Sequence, residues 1–201
     1  MVALVEDAKI KPGDTVLIHA AAGGVGLAAV QIAKACGARV IAAATGPEKR
    51  VLVAANGADV AIDYKAEDFV EVVASATGGK GVDIILDSVG GEITAKSLRC
   101  IAWQGQLLIV GFSSGEIPKI SANRLLLRRA VARGIYWDHD RDADMVARCT
   151  EKLIGLCLDG GIKPVISGGY GFDDLPRALE DLRAGSTVGK VILSLGEETS
   201  T

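Results

Sequence analysis

Residues 20–26, Ala-Ala-Ala-Gly-Gly-Val-Gly, carry the most chemistry per residue in this chain. Residues 15–19 before them (TVLIH) read as a short buried strand, and residues 27–36 after them as an amphipathic helix stopped by Gly37. A strand, a glycine turn and a helix in that order leave free backbone N–H groups at the positive end of a helix dipole, where a pyrophosphate binds. Ala21, Gly23 and Gly26 fit the G-x-G-x-x-G dinucleotide fingerprint with alanine at its first position. In that reading Gly23, Gly24, Val25 and Gly26 cradle the pyrophosphate. Gly23 admits it to the backbone, and Gly26 lets the helix pack on the strand. The alternative is a tight packing turn that holds no ligand.

The nucleotide is read from the next strand. An NAD site places an Asp or Glu about 20 residues past the glycines to hold the ribose 2′-hydroxyl. Residues 42–46 (AAATG) end the second predicted strand without a carboxylate, and Lys49 and Arg50 follow on the next helix. An unopposed cation beside the small polar turn at Thr45 suits a 2′-phosphate, which favours NADP. The competing reading makes Lys49 and Arg50 a solvated helix face.

Other reactive residues lead to less. Residues 111–115 (GFSSG) fit the G-x-S-x-G nucleophile motif, but that motif needs a helix directly after it, and Pro118 breaks one. Ser113 is therefore read as part of a turn. Residues 138–142 (DHDRD) imitate a calcium loop, yet Ala143 and Cys149 stand where glycine and glutamate are required. An acidic helix start, capped by Asp140 or Asp142, fits better. His19 is expected to be a packed, hydrogen-bonded histidine and His139 a surface one. Cys36, Cys100, Cys149 and Cys157 lack C-x-x-C spacing and fall in predicted helices, so free buried thiols in a reducing cytoplasm are expected and zinc is not.

These groups need a scaffold, and the chain supplies alternating strand and helix patterns. Strands are predicted at 38–43, 59–63, 82–87 and 106–110, with helices from 45, over 68–76 and over 94–102. Regular β–α alternation gives an α/β doubly wound parallel sheet of about six strands, order 3-2-1-4-5 with 130–135 as a sixth edge strand. Helices are predicted at 145–158 and 173–183. Residues 163–167 and 190–195 read as strands that would pair with something outside this chain, and 197–201 as a frayed tail. With aromatics at only 4%, the core must be aliphatic, as in parallel sheets covered on both faces.

Bulk properties exclude several functions. A net charge of -3 gives no basic surplus for nucleic acid. The longest apolar run, 16–30, falls short of a membrane span. Glu6, Asp7 and Lys9 interrupt any leader-like segment, so a cytoplasmic location is expected.

Residues 11–26 (KPGDTVLIHAAAGGVG) resemble the cofactor domain of medium-chain dehydrogenases of the quinone oxidoreductase (zeta-crystallin-like) branch. Residues 56–59 (NGAD), 87–90 (DSVG), 110–112 (VGF), 123–126 (NRLL) and 187–190 (TVGK) extend the resemblance over nearly the whole chain. It implies NADPH-dependent, zinc-independent hydride transfer to a quinone or activated enone. By position Lys49 and Tyr64 match residues on the 2′-phosphate and adenosine side. Gly111, Phe112 and Ser113, with Ser88 and Val89, match loops beside the nicotinamide. The family's N-terminal catalytic domain has no counterpart here. Residues 1–201 are therefore expected to be a single NADP-binding Rossmann domain, in which 160–195 includes segments that belong to the absent catalytic domain in the full-length family. Two alternatives stay open: the cofactor domain of an enoyl or alkenal reductase, and a nucleotide-binding module that catalyses nothing. A homodimer through the sixth strand is expected, since unpaired edges invite pairing.

Overall fold

Aliphatic side chains alternate between two dry faces along the central strands, and this alternation organises the molecule. In the computed structural model, which describes residues 1–195, six parallel strands run in the order β3-β2-β1-β4-β5-β6. They are β1 (Thr15–Ile18), β2 (Arg39–Ala44), β3 (Val60–Asp63), β4 (Val82–Asp87), β5 (Ile101–Ile109) and β6 (Val131–Gly134). Val16, Ile18, Val40, Ala42, Ile84, Leu86 and Leu108 enter one core. Leu17, Ile41, Ala43, Ile62, Ile85 and Leu107 enter the other. Helix α1 (Gly24–Ala35) covers the first through Leu27, Val30 and Ile32, with Val53 of α2 (Pro47–Ala55) beside it. Helix α3 (Phe69–Ala76) covers the second through Phe69, Val70 and Val73. The predicted doubly wound α/β sheet is the observed one.

Two boundaries differ in ways that matter. Helix α1 begins three residues before the predicted start, so Gly24, Val25 and Gly26 are its first turn. Helix α4 (Gly91–Ser97) ends well short of residue 102, and Ile101 opens a longer β5 instead. Ile101 pairs with Val82, and the register then shifts before Gln106 pairs with Ile84. Three apolar residues at 100–102 give too short a run to tell helix from strand by periodicity.

The C-terminal strands also depart from expectation. β7 (Ile166–Gly171) and β8 (Lys190–Ser194) pair with each other, in parallel, as a separate two-stranded sheet. Helix α7 (Leu175–Arg183) forms the crossover that a parallel pair requires. Gln31 on α1 anchors this unit. Its amide donates to the Lys163 carbonyl (2.9 Å) and accepts the Lys163 N–H (3.0 Å). Gly189 donates its N–H to the Ala22 carbonyl at 2.8 Å. At φ +58, and with a Cβ destined to fall 2.1 Å from the Val165 carbonyl oxygen, position 189 accepts only glycine.

Helix α5 (Ala122–Arg128) precedes the edge strand, and α6 (Ala143–Leu158) follows it. The cysteines correct one expectation: all four are free, but only Cys100 and Cys149 are buried, Cys36 is half-buried and Cys157 is exposed. Cys100 lies in the turn before β5 and Cys36 ends α1, so neither is inside a helix. The tail at 197–201 lies outside the described residues. No helix among the described residues is long and apolar enough to cross a membrane.

Candidate nucleotide-binding site

Helix α1 starts abruptly because its first turn is made of residues that need little room. A Cβ on Gly26 would fall 2.3 Å from the Ala20 carbonyl oxygen and 2.5 Å from the Ala21 Cα. The helix can approach the turn this closely only with glycine there, as the fingerprint reading requires. Gly24, Val25 and Gly26 occupy the first three helical positions, whose N–H groups have no partner within the helix. They carry the positive end of the dipole. A Cβ on Gly24 would meet the Lys190 side chain at 2.9 Å, so a lysine stem from β8 lies over this turn.

A cavity of about 530 Å³ opens at the C-terminal ends of the strands, beside the β1–β4 pair where the strand order reverses. That is the place, and close to the size, of ligand sites in open α/β sheets. The glycine turn contributes Ala20, Ala22 and Gly23, and the end of β2 contributes Ala44 and Thr45. Lys49 of α2, Tyr64 after β3, Val89 and Ile93 around the start of α4, and Ser113 after β5 complete the sheet side. Leu182, Ala184, Gly185 and Thr187 close it from the α7–β8 connection.

Of the residues expected at the site, Gly23, Thr45, Lys49, Tyr64, Val89 and Ser113 therefore converge on one cavity. Gly24 and Gly26 adjoin it in the helical turn. Val25 is half exposed and faces a different cavity of about 710 Å³, shared with Met1, Val110 and Trp137. Ser88, Gly111 and Phe112 are not among the lining residues and stand next to them. The Ser113 N–H donates to the Ser88 carbonyl and the Ser114 N–H to the Val89 carbonyl, both at 3.0 Å. The loops after β4 and β5 are thus zipped together, with Phe112 left exposed at the rim.

Asp87, at the end of β4 and only 1% exposed, holds this pair of loops in place. One carboxylate oxygen accepts the N–H groups of Val89 (2.8 Å) and Gly90 (3.1 Å). The other accepts the Thr94 hydroxyl.

The cationic side of the cavity differs from expectation in two respects. Arg50 lies 3.9 Å from Glu67, so it is opposed, and Lys49 alone faces the cavity. The Lys49 ammonium donates to the Gly185 carbonyl. A carboxylate is also present, brought by β3 rather than β2. Asp63 accepts the N–H groups of Gly46 (2.8 Å) and Lys65 (2.9 Å), and these bonds hold its pKa below the usual value. With that oxygen already committed to two backbone donors, Asp63 is a brace for the turn after β2.

The remaining motifs resolve simply. Gly115 is followed by irregular chain as far as α5, which excludes the nucleophile turn at Ser113. Asp138 accepts the N–H groups of Asp140 and Arg141. Asp142 stands at the start of α6 without capping it, since its carboxylate turns back to the Asp138 N–H. His139 is exposed, while His19 is fully buried and hydrogen-bonded through both ring nitrogens. Among the described residues, no three His, Cys, Asp or Glu side chains gather so as to hold a metal ion. Sequence reasoning missed Leu182, Ala184 and Gly185. The only signal for that wall was the TVGK segment at 187–190.

A family model described as zinc-binding dehydrogenase matches residues 24–152. The chain belongs to that family. Among its relatives is a quinone oxidoreductase-like protein 2 homolog of Nematostella vectensis, 39% identical over 96% of this chain and 54% of that protein. Escherichia coli quinone oxidoreductase, solved in complex with NADPH, superposes with a TM-score of 0.84 at 31% identity, over 96% of this chain and 60% of that one. A mycobacterial protein complexed with NADPH gives a TM-score of 0.86 at 35% identity, again over 96% and 60%. The chain thus spans somewhat over half the length of each of these three proteins. These matches fit the cofactor-binding domain of a medium-chain dehydrogenase.

Proposed function

We propose that this chain binds NADPH and forms the cofactor domain of an oxidoreductase that reduces a quinone or an activated enone. The observation that carries this reading is a single cavity joining the glycine turn of α1 to Lys49. Such a cavity suits a dinucleotide with one phosphate group at each place. The two NADPH-bound structures of similar fold support it.

In this reading Gly23, Gly24, Val25 and Gly26 receive the pyrophosphate, and Thr45, Lys49 and Tyr64 the 2′-phosphate and adenosine side. Ser88, Val89, Gly111, Phe112 and Ser113 hold the nicotinamide end, in loops stiffened by Asp87. The bound nicotinamide supplies the hydride, and the chain supplies binding, orientation and a dry wall. The whole of 1–201 serves as one nucleotide-binding unit, and 160–195 includes segments that belong to the catalytic domain in the full-length family. The acceptor-facing groups belong to the part of the longer relatives that this chain does not span. Free thiols fit a cytoplasmic setting.

Selectivity tests the reading at one residue. Lys49→Glu is expected to weaken NADPH binding about tenfold while leaving NADH within about twofold, since only NADPH carries the 2′-phosphate. Equal losses for both, measured by titration of nucleotide fluorescence, would remove Lys49 from the site.

We also propose a homodimer through β6. Val131 on that edge is 47% exposed, and Leu126 and Leu127 on the preceding helix are 77% and 70% exposed. Sedimentation at micromolar concentration should show a dimer that Val131→Lys converts to monomer. A monomeric wild-type chain would contradict this.

A further inference from the structure

His19 follows β1 directly beneath the glycine turn and is fully buried. Its ring stacks on Tyr64 with centroids 5.9 Å apart and meets the edge of Phe69 at 5.0 Å. The tautomer with its proton on Nε2 makes use of every hydrogen bond around the ring. The Ser97 hydroxyl spends its one proton on the Ile93 carbonyl, 2.7 Å away. Its lone pair therefore accepts the His19 Nε2–H, also at 2.7 Å. Nδ1 then carries no proton and accepts the Tyr64 hydroxyl. His19 is followed directly by Ala20, a turn residue held at φ +47 that lines the cavity with Tyr64.

We propose that His19 is a positioning residue for the nucleotide pocket: by accepting the Tyr64 hydroxyl at Nδ1, it locks the phenol as a wall of the cavity and ties that wall to the glycine turn. This inference rests on the NADPH reading above. Tyr64 lines the cavity together with Ala20 and Lys49, so a free phenol would blur the pocket without touching the fold. The role requires an acceptor at the Nδ1 position, which a side chain that merely fills the space does not provide. Burial keeps the imidazole neutral, and thus an acceptor, at physiological pH.

The test separates the two arms of the ring. His19→Asn places a carbonyl oxygen near the Nδ1 position, His19→Gln reaches toward Ser97, and His19→Leu does neither. Tyr64→Phe removes the donor while leaving His19 in place, and keeps the test open if a His19 variant folds poorly. With folding verified by circular dichroism, NADPH titration is expected to show about five- to tenfold weaker binding for Leu, Gln and Tyr64→Phe. Asn should return to within about twofold of wild type, and His19→Leu combined with Tyr64→Phe should add no further loss. The wild-type ¹⁵N spectrum, with only 2 histidines to assign, should show an unprotonated Nδ1 on His19 whose shift changes in Tyr64→Phe. Asn and Gln weakening binding alike, or none of the variants weakening it, would leave His19 a packing residue and overturn the inference. If wild type itself fails to bind NADPH, the parent reading falls and takes this inference with it. If wild type binds and the variants match it, only the role of His19 falls.

Discussion

Asp87→Ala is expected to lower the stability of the fold by about 4 kcal/mol, more than any other single truncation at the site. The carboxylate is buried and accepts from Val89, Gly90 and Thr94. Alanine leaves two backbone N–H groups and one hydroxyl without their partner, each at about 1–3 kcal/mol less whatever water recovers. The damage is local as well as global, because the loop released at 88–90 is the one to which Ser113 and Ser114 are bonded. Asp87→Asn keeps one carbonyl oxygen for the two N–H groups and should lose about half as much. Urea denaturation measures both. An alanine variant within about 1 kcal/mol of wild type would show that the loop holds without Asp87.

The second large effect is acid sensitivity set by His19. Burial holds its pKa down at about 4, against an ordinary value of 6.5, with nearby Asp87 opposing the shift. A histidine depressed in the folded state is neutral there and takes up a proton on unfolding. The unfolded chain therefore binds more protons between the two values, and stability rises with pH across that window. Read downward, stability should fall by about 3 kcal/mol from pH 7 to pH 4 and then level off for this group. Below that window Asp59, whose desolvation is outweighed by its bonds to the Val40 N–H and Lys34, and Asp63, held down by the Gly46 and Lys65 N–H groups, lose their own contribution as they protonate. His19→Asn should flatten the profile between pH 7 and 4. The same slope in wild type and variant would assign the acid sensitivity to other groups.

Much of this was legible in the residues. The sheet order, the glycine turn and the convergence of Lys49 and Tyr64 on one cavity follow from strand periodicity, turn chemistry and family resemblance, all local or nearly local signals. What escaped depends on contacts distant in sequence. Asp63 reaches the turn after β2 from a neighbouring strand, so counting along β2 could not find it. Glu67 neutralises Arg50 across a loop. The pairing of β7 with β8, and the wall built from Leu182, Ala184 and Gly185, follow from how Gln31 and Ala22 hold the C-terminal unit against α1. Val25 carried no warning that its side chain lines a different cavity, because successive residues of a helical turn point about 100° apart and cannot all face one ligand.

In the proposed function one cavity of this chain grips NADPH at both the pyrophosphate and the 2′-phosphate. Direct titration of residues 1–201 with NADPH and with NADH, at equal ionic strength, tests it most plainly. NADPH is expected to bind saturably, with NADH at least about tenfold weaker. Equal affinity for the two, or no binding of either, would contradict it.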